Sequence, residues 1–311
     1  MHQSTIPVLD LSRFQHDKDA FVAELGAAYQ AWGFAGITHH GIDTAIIRDA
    51  LAASAEFFSL PDAAKKQYFY DNGGTRGYTP FGTEIAKNAS YVDMKEFWHV
   101  GRDITGTPPF PQLTANVWPS EVPAFKPAMQ ALFIALDQMA NELLQAFALF
   151  LGETEDYFFK RVQWGNSILR PLHYPPITDP SLPNVHAGAH EDINLITLLV
   201  GSEQEGLEVL SNTGEWTGIS MIEGTIICNV GDMLQRLCNH RLPSTTHRVV
   251  NPKGPAGKIS RYSIPFFVHP NPDMSLDALP QCVSAENPKR DEAILAHDYL
   301  MQRLREIGLV K

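Results

Sequence analysis

The sequence predicts an α+β protein whose core is a sandwich or jelly roll of short strands, with a mixed, largely helical region before it and a helix after it. Beyond Phe159 the texture turns strand-like, in short runs at residues 167–170, 207–210, 215–219 and 225–230 that favour extended backbone. Between two of these runs, Ser211-Asn212-Thr213-Gly214 reads as a hairpin turn. Many short strands separated by Gly and Asn turns point to a sandwich or jelly roll, and the flanking segments repeat apolar residues at helical spacing.

Taken in order, residues 6–11 read as a short strand, with Asp10 and Ser12 as turn or capping residues. Phe21, Leu25, Ala28 and Trp32 then form a helical stripe that Gly33 ends, and residues 34–38 read as extended. A second helix is expected over residues 44–58, burying Ile47, Leu51, Ala55 and Phe58, and Pro61 can open a further turn. From residue 71 to 110 the glycines and prolines predict loops. Arg76, Tyr78, Phe81 and Glu84 there are candidates for lining a substrate pocket, with solvated loop residues as the plainer reading. A long helix is expected over residues 123–151, closed by Gly152, and a last helix over residues 291–307, with Ala293, Leu300, Leu304 and Ile307 on one stripe. Trp216 and Phe150 read as packing residues.

A chain of 311 residues, 44% hydrophobic and 19% charged, can bury a large core. Its 24 basic and 35 acidic residues give a net charge of −11, which argues against a nucleic-acid or anionic-membrane partner. Cys228, Cys238 and Cys282 cannot all pair and show no Cys-x-x-Cys spacing, so reduced structural thiols are expected. Residues 1–5 do not resemble a signal peptide. The apolar segment 128–151 is interrupted by Asp137, Asn141 and Glu142, so it reads as a buried helix in a cytoplasmic protein.

The chemistry gathers between His186 and Phe267. His190-Glu191-Asp192 runs into the apolar residues 193–200. If the extended backbone reaches back to His190, a period of two puts His190 and Asp192 on one face. His247 lies fifty-five residues beyond Asp192, where another short strand begins. Two imidazoles and one carboxylate on adjacent strands would cap one side of an octahedral metal and leave three positions open, the pattern of non-haem Fe(II) oxygenases. Arg261 and Ser263 share a face of the next strand-like run, residues 259–267, and suit an incoming carboxylate. His186 stands four residues before His190, but Pro183, Asn184 and Gly188 argue against the helix that would pair them. His240 falls in a loop by composition, and His173, next to Tyr174, could approach a cosubstrate only as a lone histidine.

With these residues in view, the chain resembles the isopenicillin N synthase-like branch of the Fe(II)/2-oxoglutarate-dependent oxygenases. The likeness spans nearly the whole chain: Ile6-Pro7-Val8-Leu9-Asp10, Trp32-Gly33-Phe34, His40-Gly41-Ile42, Phe57-Phe58-Ser59-Leu60-Pro61, Arg76-Gly77-Tyr78, Asp93-Met94-Lys95-Glu96, Asn116-Val117-Trp118-Pro119, Tyr174-Pro175-Pro176 and Asn229-Val230-Gly231-Asp232 match in order. The resemblance implies a double-stranded β-helix core, with a carboxyl-terminal helix over the mouth of the barrel. It divides the chain into an amino-terminal region (1–120), a long connecting helix (121–164), the jelly-roll core (165–270) and the carboxyl-terminal helix (271–311), forming one structural unit.

It further implies Fe(II) at His190, Asp192 and His247, with 2-oxoglutarate as cosubstrate and O2 as oxidant. Arg261, Ser263 and Tyr174 would hold the cosubstrate, and 2-oxoglutarate would be decarboxylated to succinate and CO2 as a small molecule is hydroxylated, desaturated or cyclised. Many plant members carry Asn where this chain has Leu172. That departure keeps open a 2-oxoglutarate-independent oxidase of the isopenicillin N synthase type; a third reading is a non-catalytic, metal-binding jelly roll.

Overall fold

The computed structural model describes residues 6–70, 75–83, 93–177, 186–201, 206–219, 222–251 and 257–306. The chain opens with β1 (Val8–Asp10), α1 (Lys18–Trp32), β2 (Phe34–Thr38), α2 (Thr44–Phe58) and α3 (Asp62–Lys65). Helix α1 buries Phe21, Leu25 and Ala28 as its spacing predicts, with Tyr29 rather than Trp32 completing the stripe. It stops where Gly33 takes φ +66° and donates its N–H to the Tyr29 carbonyl, a left-handed cap that glycine adopts without a Cβ penalty. Helix α2 begins where Asp43 accepts the Ala45 N–H at 2.8 Å. Its fully buried line is Ala50, Ala53, Ser54, Phe57 and Phe58, whereas Ile47 and Leu51 pack only partly against the core.

The stretch predicted as loops contains two strands, β3 (Gly77–Thr79) and β4 (Glu96–Gly101), paired antiparallel. Their polar members disguise them in the sequence and are matched internally. Glu96, fully buried, accepts from Lys65 Nζ at 2.8 Å, from His173 Nδ1 at 2.7 Å and from the Tyr78 hydroxyl. Breaking such a buried pair costs about 3–5 kcal/mol, so the network fastens α3, β3 and β4 together.

Helix α4 (Phe125–Phe150) follows, with Gly152 at φ +82° behind it. Of its two carboxylates, Asp137 pairs with Arg102 at 2.8 Å and Glu142 accepts from Gln15 Nε2 at 2.7 Å. Among the described residues no helix is long and apolar enough to cross a membrane. The chain then runs through α5 (Phe159–Val162), β5 (Ile168–Leu169), β6 (Leu172–Tyr174), β7 (Ala187–His190), β8 (Ile196–Val200), β9 (Leu207–Leu210), β10 (Trp216–Gly218), β11 (Ile226–Val230), α6 (Asp232–Leu237), β12 (His247–Val249), β13 (Arg261–Val268) and α7 (Ala296–Glu306).

Two sheets result. The larger runs β1-β2-β11-β8-β13-β5-β4-β3, with β6 pairing β13 and β4; the smaller runs β10-β9-β12-β7. From β7 onward the chain passes back and forth between them, which winds the double-stranded β-helix. Phe34 and Ile227 of the larger sheet meet Leu207 and Val209 of the smaller in an apolar cluster. Helix α4 covers the outer face of the larger sheet, Phe133 standing edge-on to Phe266 at 4.9 Å. Helix α7 starts five residues later than its spacing predicts and leaves Ala293 exposed, and Ile307 lies outside the described residues.

The turn from α5 into β5 brings Gly165 against the strand it serves: a Cβ there would stand 1.8 Å from the His269 carbonyl oxygen, a backbone atom with little room to move. Gly165→Ala should therefore destabilise the fold by about 1–3 kcal/mol, measured as a lower urea midpoint with an unchanged slope.

Candidate metal centre

His190 closes β7 and His247 opens β12, and the two residues are direct partners in the antiparallel ladder. Their rings lie 4.4 Å apart. Asp192 arrives by a different route from the one its spacing implies. Strand β8 begins only at Ile196, so residues 191–195 do not continue a strand back to His190. They cross from the smaller sheet to the larger, and this crossing, not alternation along a strand, swings the carboxylate beside the imidazoles.

Asp192 Oδ1 lies 3.8 Å from His190 Nε2 and 3.9 Å from His247 Nε2, and one ligand atom from each of the three falls within 4.8 Å of the others. Among the described residues no fourth His, Cys, Asp or Glu joins the group. His190 Nδ1 donates to the Gly188 carbonyl at 2.7 Å and His247 Nδ1 to the Thr245 carbonyl at 3.2 Å. Because a carbonyl only accepts, each Nδ1 carries the proton and each Nε2 turns a lone pair to the centre.

Asp192 Oδ2 accepts from Thr197 Oγ1 at 2.6 Å and Asn229 Nδ2 at 2.8 Å. Asn194 Nδ2 in turn donates to Thr197 Oγ1 at 2.8 Å, which directs the threonine proton at Asp192. Oδ1 is left for the centre. Burial raises the Asp192 carboxyl, but His247, His190, Asn229 and Thr197 together bring it below its usual value. Burial first, then His247, pushes His190 down to about 4 although 36% of its side chain is reached from the cleft. An anionic carboxylate therefore faces a neutral imidazole. Two imidazole nitrogens and a single carboxylate oxygen fit Fe(II) with open positions, and the missing fourth donor argues against a closed structural zinc.

Along β13 every second side chain, Arg261, Ser263, Pro265 and Phe267, lines the cleft that also holds the three ligands. Arg261 is 3% exposed, and its Nε and Nη1 make no hydrogen bond. Two buried unmade donors are a standing penalty that an anion would relieve. Tyr174, the strand partner of Arg261, places its ring 4.9 Å from the guanidinium carbon, and Leu172, the partner of Ser263, lines the same cleft. His186 stacks on Tyr174 at 4.8 Å and stays outside the ligand group, a neighbour as its sequence context indicates.

Other expectations fall elsewhere. His173 turns away from the cleft, binding Glu96 and Ser260 Oγ, and His240 binds Asp291 at 2.7 Å. Arg76 is buried and donates to Asn166 at 2.8 Å, Tyr78 serves Glu96, and Phe81 is 39% exposed. None of the three lines the cleft, and Glu84 lies outside the described residues. Several functional groups had no role assigned from sequence. Thr197 and Asn194 set Asp192 from an apolar-looking run. Asn229 sits in a motif whose purpose only the fold reveals. Lys95 and Arg170 also line the cleft. Lys95 pairs with Asp93 at 2.9 Å, and Asp93 accepts the Gly188 N–H at 3.0 Å, tying this segment to β7.

Comparison with known proteins agrees with this geometry. Residues 6–121 match the family model described as non-haem dioxygenase in morphine synthesis N-terminal, and residues 165–270 match that of the 2OG-Fe(II) oxygenase superfamily. The 2-oxoglutarate-Fe(II) type oxidoreductase hxnY of Emericella nidulans is 32% identical over 300 residues, 91% of this chain and 85% of that protein. A 2OG-Fe(II) oxygenase family protein from Caulobacter crescentus superposes with a TM-score of 0.91 at 47% identity, covering 98% of this chain and all of that one. A full-length Neurospora crassa protein, solved in complex with alpha-KG and thymine, gives a TM-score of 0.86 at 30% identity, covering 98% and 97% of the two chains.

Two substitutions test the centre. His247→Ala should abolish stoichiometric Fe(II) binding, and Thr197→Val should weaken it on the order of 10–100-fold by releasing Asp192 Oδ2, both followed by metal titration of the purified protein. Retention of wild-type affinity by His247→Ala would remove it from the ligand set.

Proposed function

Because this chain belongs to the 2OG-Fe(II) oxygenase superfamily and is an Fe(II)- and 2-oxoglutarate-dependent dioxygenase, we propose that His190, Asp192 and His247 hold its iron and that Arg261, Ser263 and Tyr174 hold its cosubstrate. The observation that carries this assignment is the three-donor group beside a buried arginine with two unmade hydrogen bonds, in one cleft.

Bound there, Fe(II) supplies the redox centre at which O2 and 2-oxoglutarate react, giving succinate and CO2 as a small-molecule substrate is oxidised. The chain's own residues bind and orient. Arg261 turns its guanidinium to the distal carboxylate in a charge-assisted contact, and the Ser263 hydroxyl, on the same strand face, adds a second donor. Tyr174 fixes the guanidinium plane from one side. The carbonyls of Gly188 and Thr245 hold both imidazoles in the tautomer that leaves Nε2 for the metal. Leu172, Leu199, Phe34 and Val249 give the cleft apolar walls that exclude competing water.

The oxidase alternative, suggested by Leu172, would leave Arg261 without its anion unless the substrate supplied one. Small-molecule chemistry suits a cleft of this kind. We place the protein in the cytoplasm, where three free and buried cysteines are the ordinary state.

The reading is tested by oxygen uptake and succinate release with and without 2-oxoglutarate; uptake that ignores the cosubstrate would overturn it. Arg261→Ala should raise the KM for 2-oxoglutarate by on the order of 100-fold, the loss of a charged hydrogen-bonded contact of about 3 kcal/mol, with Fe(II) affinity unchanged. Loss of iron from that variant would show that Arg261 is misassigned.

A further inference from the structure

The segment Asn229-Val230-Gly231-Asp232 stands out in the sequence, yet only Asn229 touches the site. The backbone after it serves the same purpose. Asp232 donates its N–H to the carbonyl of Asp192 at 2.9 Å, Gly231 to that of Leu195 at 2.9 Å, and Met233 to that of Asn194 at 3.0 Å. A Cβ on Gly231 would stand 2.3 Å from the Asn194 carbonyl oxygen, so the two backbones lie as close as glycine permits. The crossing that delivers Asp192 is thus laid on the first turn of α6.

The Asp232 side chain points the other way. It is 3% exposed, and its Oδ2 accepts the Tyr299 hydroxyl at 3.0 Å and faces Arg303 Nε at 3.3 Å, both from α7. Arg236, one turn further along α6, lies over the Tyr299 ring at 5.2 Å and pairs with Asp291 at 3.0 Å. Helix α7 buries Ala296 fully and packs Tyr299 and Leu300 in part against the core, and the polar contacts around Asp232 and Arg236 add to that docking. No residue of α7 lines the cleft, although the family resemblance implies a helix over its mouth.

We infer that Asp232 is a positioning residue for the metal-binding carboxylate, and that α7 is a brace clamped through Tyr299 and Arg303 onto the far side of the Asp192 crossing. A carboxylate this buried is tolerated only when paired. With α7 docked, Asp232 fixes the first turn of α6, and that turn fixes the backbone of Asp192 against its own hydrogen bonds to Thr197 and Asn229. With α7 undocked, the imidazoles keep their places on β7 and β12, and Asp192 keeps Thr197 and Asn229 but loses the firm backbone support behind it. The inference rests on Asp192 being an iron ligand.

The test uses the full-length protein. Fe(II) affinity is measured by anaerobic titration and amide hydrogen exchange by mass spectrometry, for wild type, Arg303→Ala, Arg303→Lys, Asp232→Asn and the core truncation Phe21→Leu. Arg303→Ala and Asp232→Asn should each raise the Fe(II) dissociation constant on the order of tenfold and speed exchange at residues 231–233, with Arg303→Lys restoring most of both. Phe21→Leu should lower the melting temperature without moving either. Wild-type affinity and protection in Arg303→Ala and Asp232→Asn would overturn the brace, as would equal weakening by Phe21→Leu. A wild-type protein that binds no Fe(II) would instead overturn the metal assignment itself.

Discussion

Asp192 carries two oxygens into the cleft wall, and the usefulness of the site follows from one of them being occupied already. Thr197 and Asn229 both donate to Oδ2, so the carboxylate cannot rotate or chelate without breaking two buried hydrogen bonds, each costly to leave unmade. One oxygen therefore meets two imidazole lone pairs, and one face of an ion placed there stays open. The donors come from β8 and β11, neighbours in the larger sheet, whereas His190 and His247 sit on neighbouring strands of the smaller. The centre exists because the two sheets face each other at a fixed separation and the chain crosses between them beside it.

A second buried carboxylate does similar work at the Arg261 end of the cleft. Glu96 gathers Lys65, Tyr78 and His173, and His173 is the residue between Leu172 and Tyr174 on β6. By holding His173 on the outer face, Glu96 commits its two neighbours to the inner one, where they pair with Ser263 and Arg261. Neither carboxylate is stabilising in isolation; Glu96 is tolerated because its partners surround it and Asp192 because Thr197 and Asn229 fill one of its oxygens, and each converts those contacts into one orientation of the backbone it touches.

What the sequence discloses is the chemistry, because residue type carries it. His-x-Asp, a later His and Arg-x-Ser name an ion and an anchor in any fold that brings them together, and the β-rich texture after Phe159 narrows the fold. What it conceals is the geometry of irregular backbone. Ile193 and Leu195 look like the start of a strand, but the carbonyls of residues 192, 194 and 195 receive N–H groups from the first turn of α6 instead of a ladder partner. No periodicity marks such an exchange. The same blindness hid β3 and β4: Glu96 and His99 break an apolar pattern, although both are buried and Glu96 has its partners in place. The late start of α7 has a similar cause, since Asp291, inside the periodic stretch, is engaged with Arg236 and His240.

Charge is where the whole molecule and its site part company. The chain carries a net −11, which would slow the approach of a dianionic cosubstrate if the charge were spread evenly. Inside the cleft the balance is reversed: Arg170 and Arg261 line it against the single lining carboxylate of Asp192, and Lys95, which also lines it, is paired with Asp93. Walls of low dielectric concentrate this local field, so the cleft offers an anion a positive environment that the net charge of the chain does not. Specific entry then depends on a short-range field set by a few buried side chains, which salt screens far less than it screens the exposed acids outside. The acidity of the sequence thus describes the chain as a whole, and the site runs on the opposite sign.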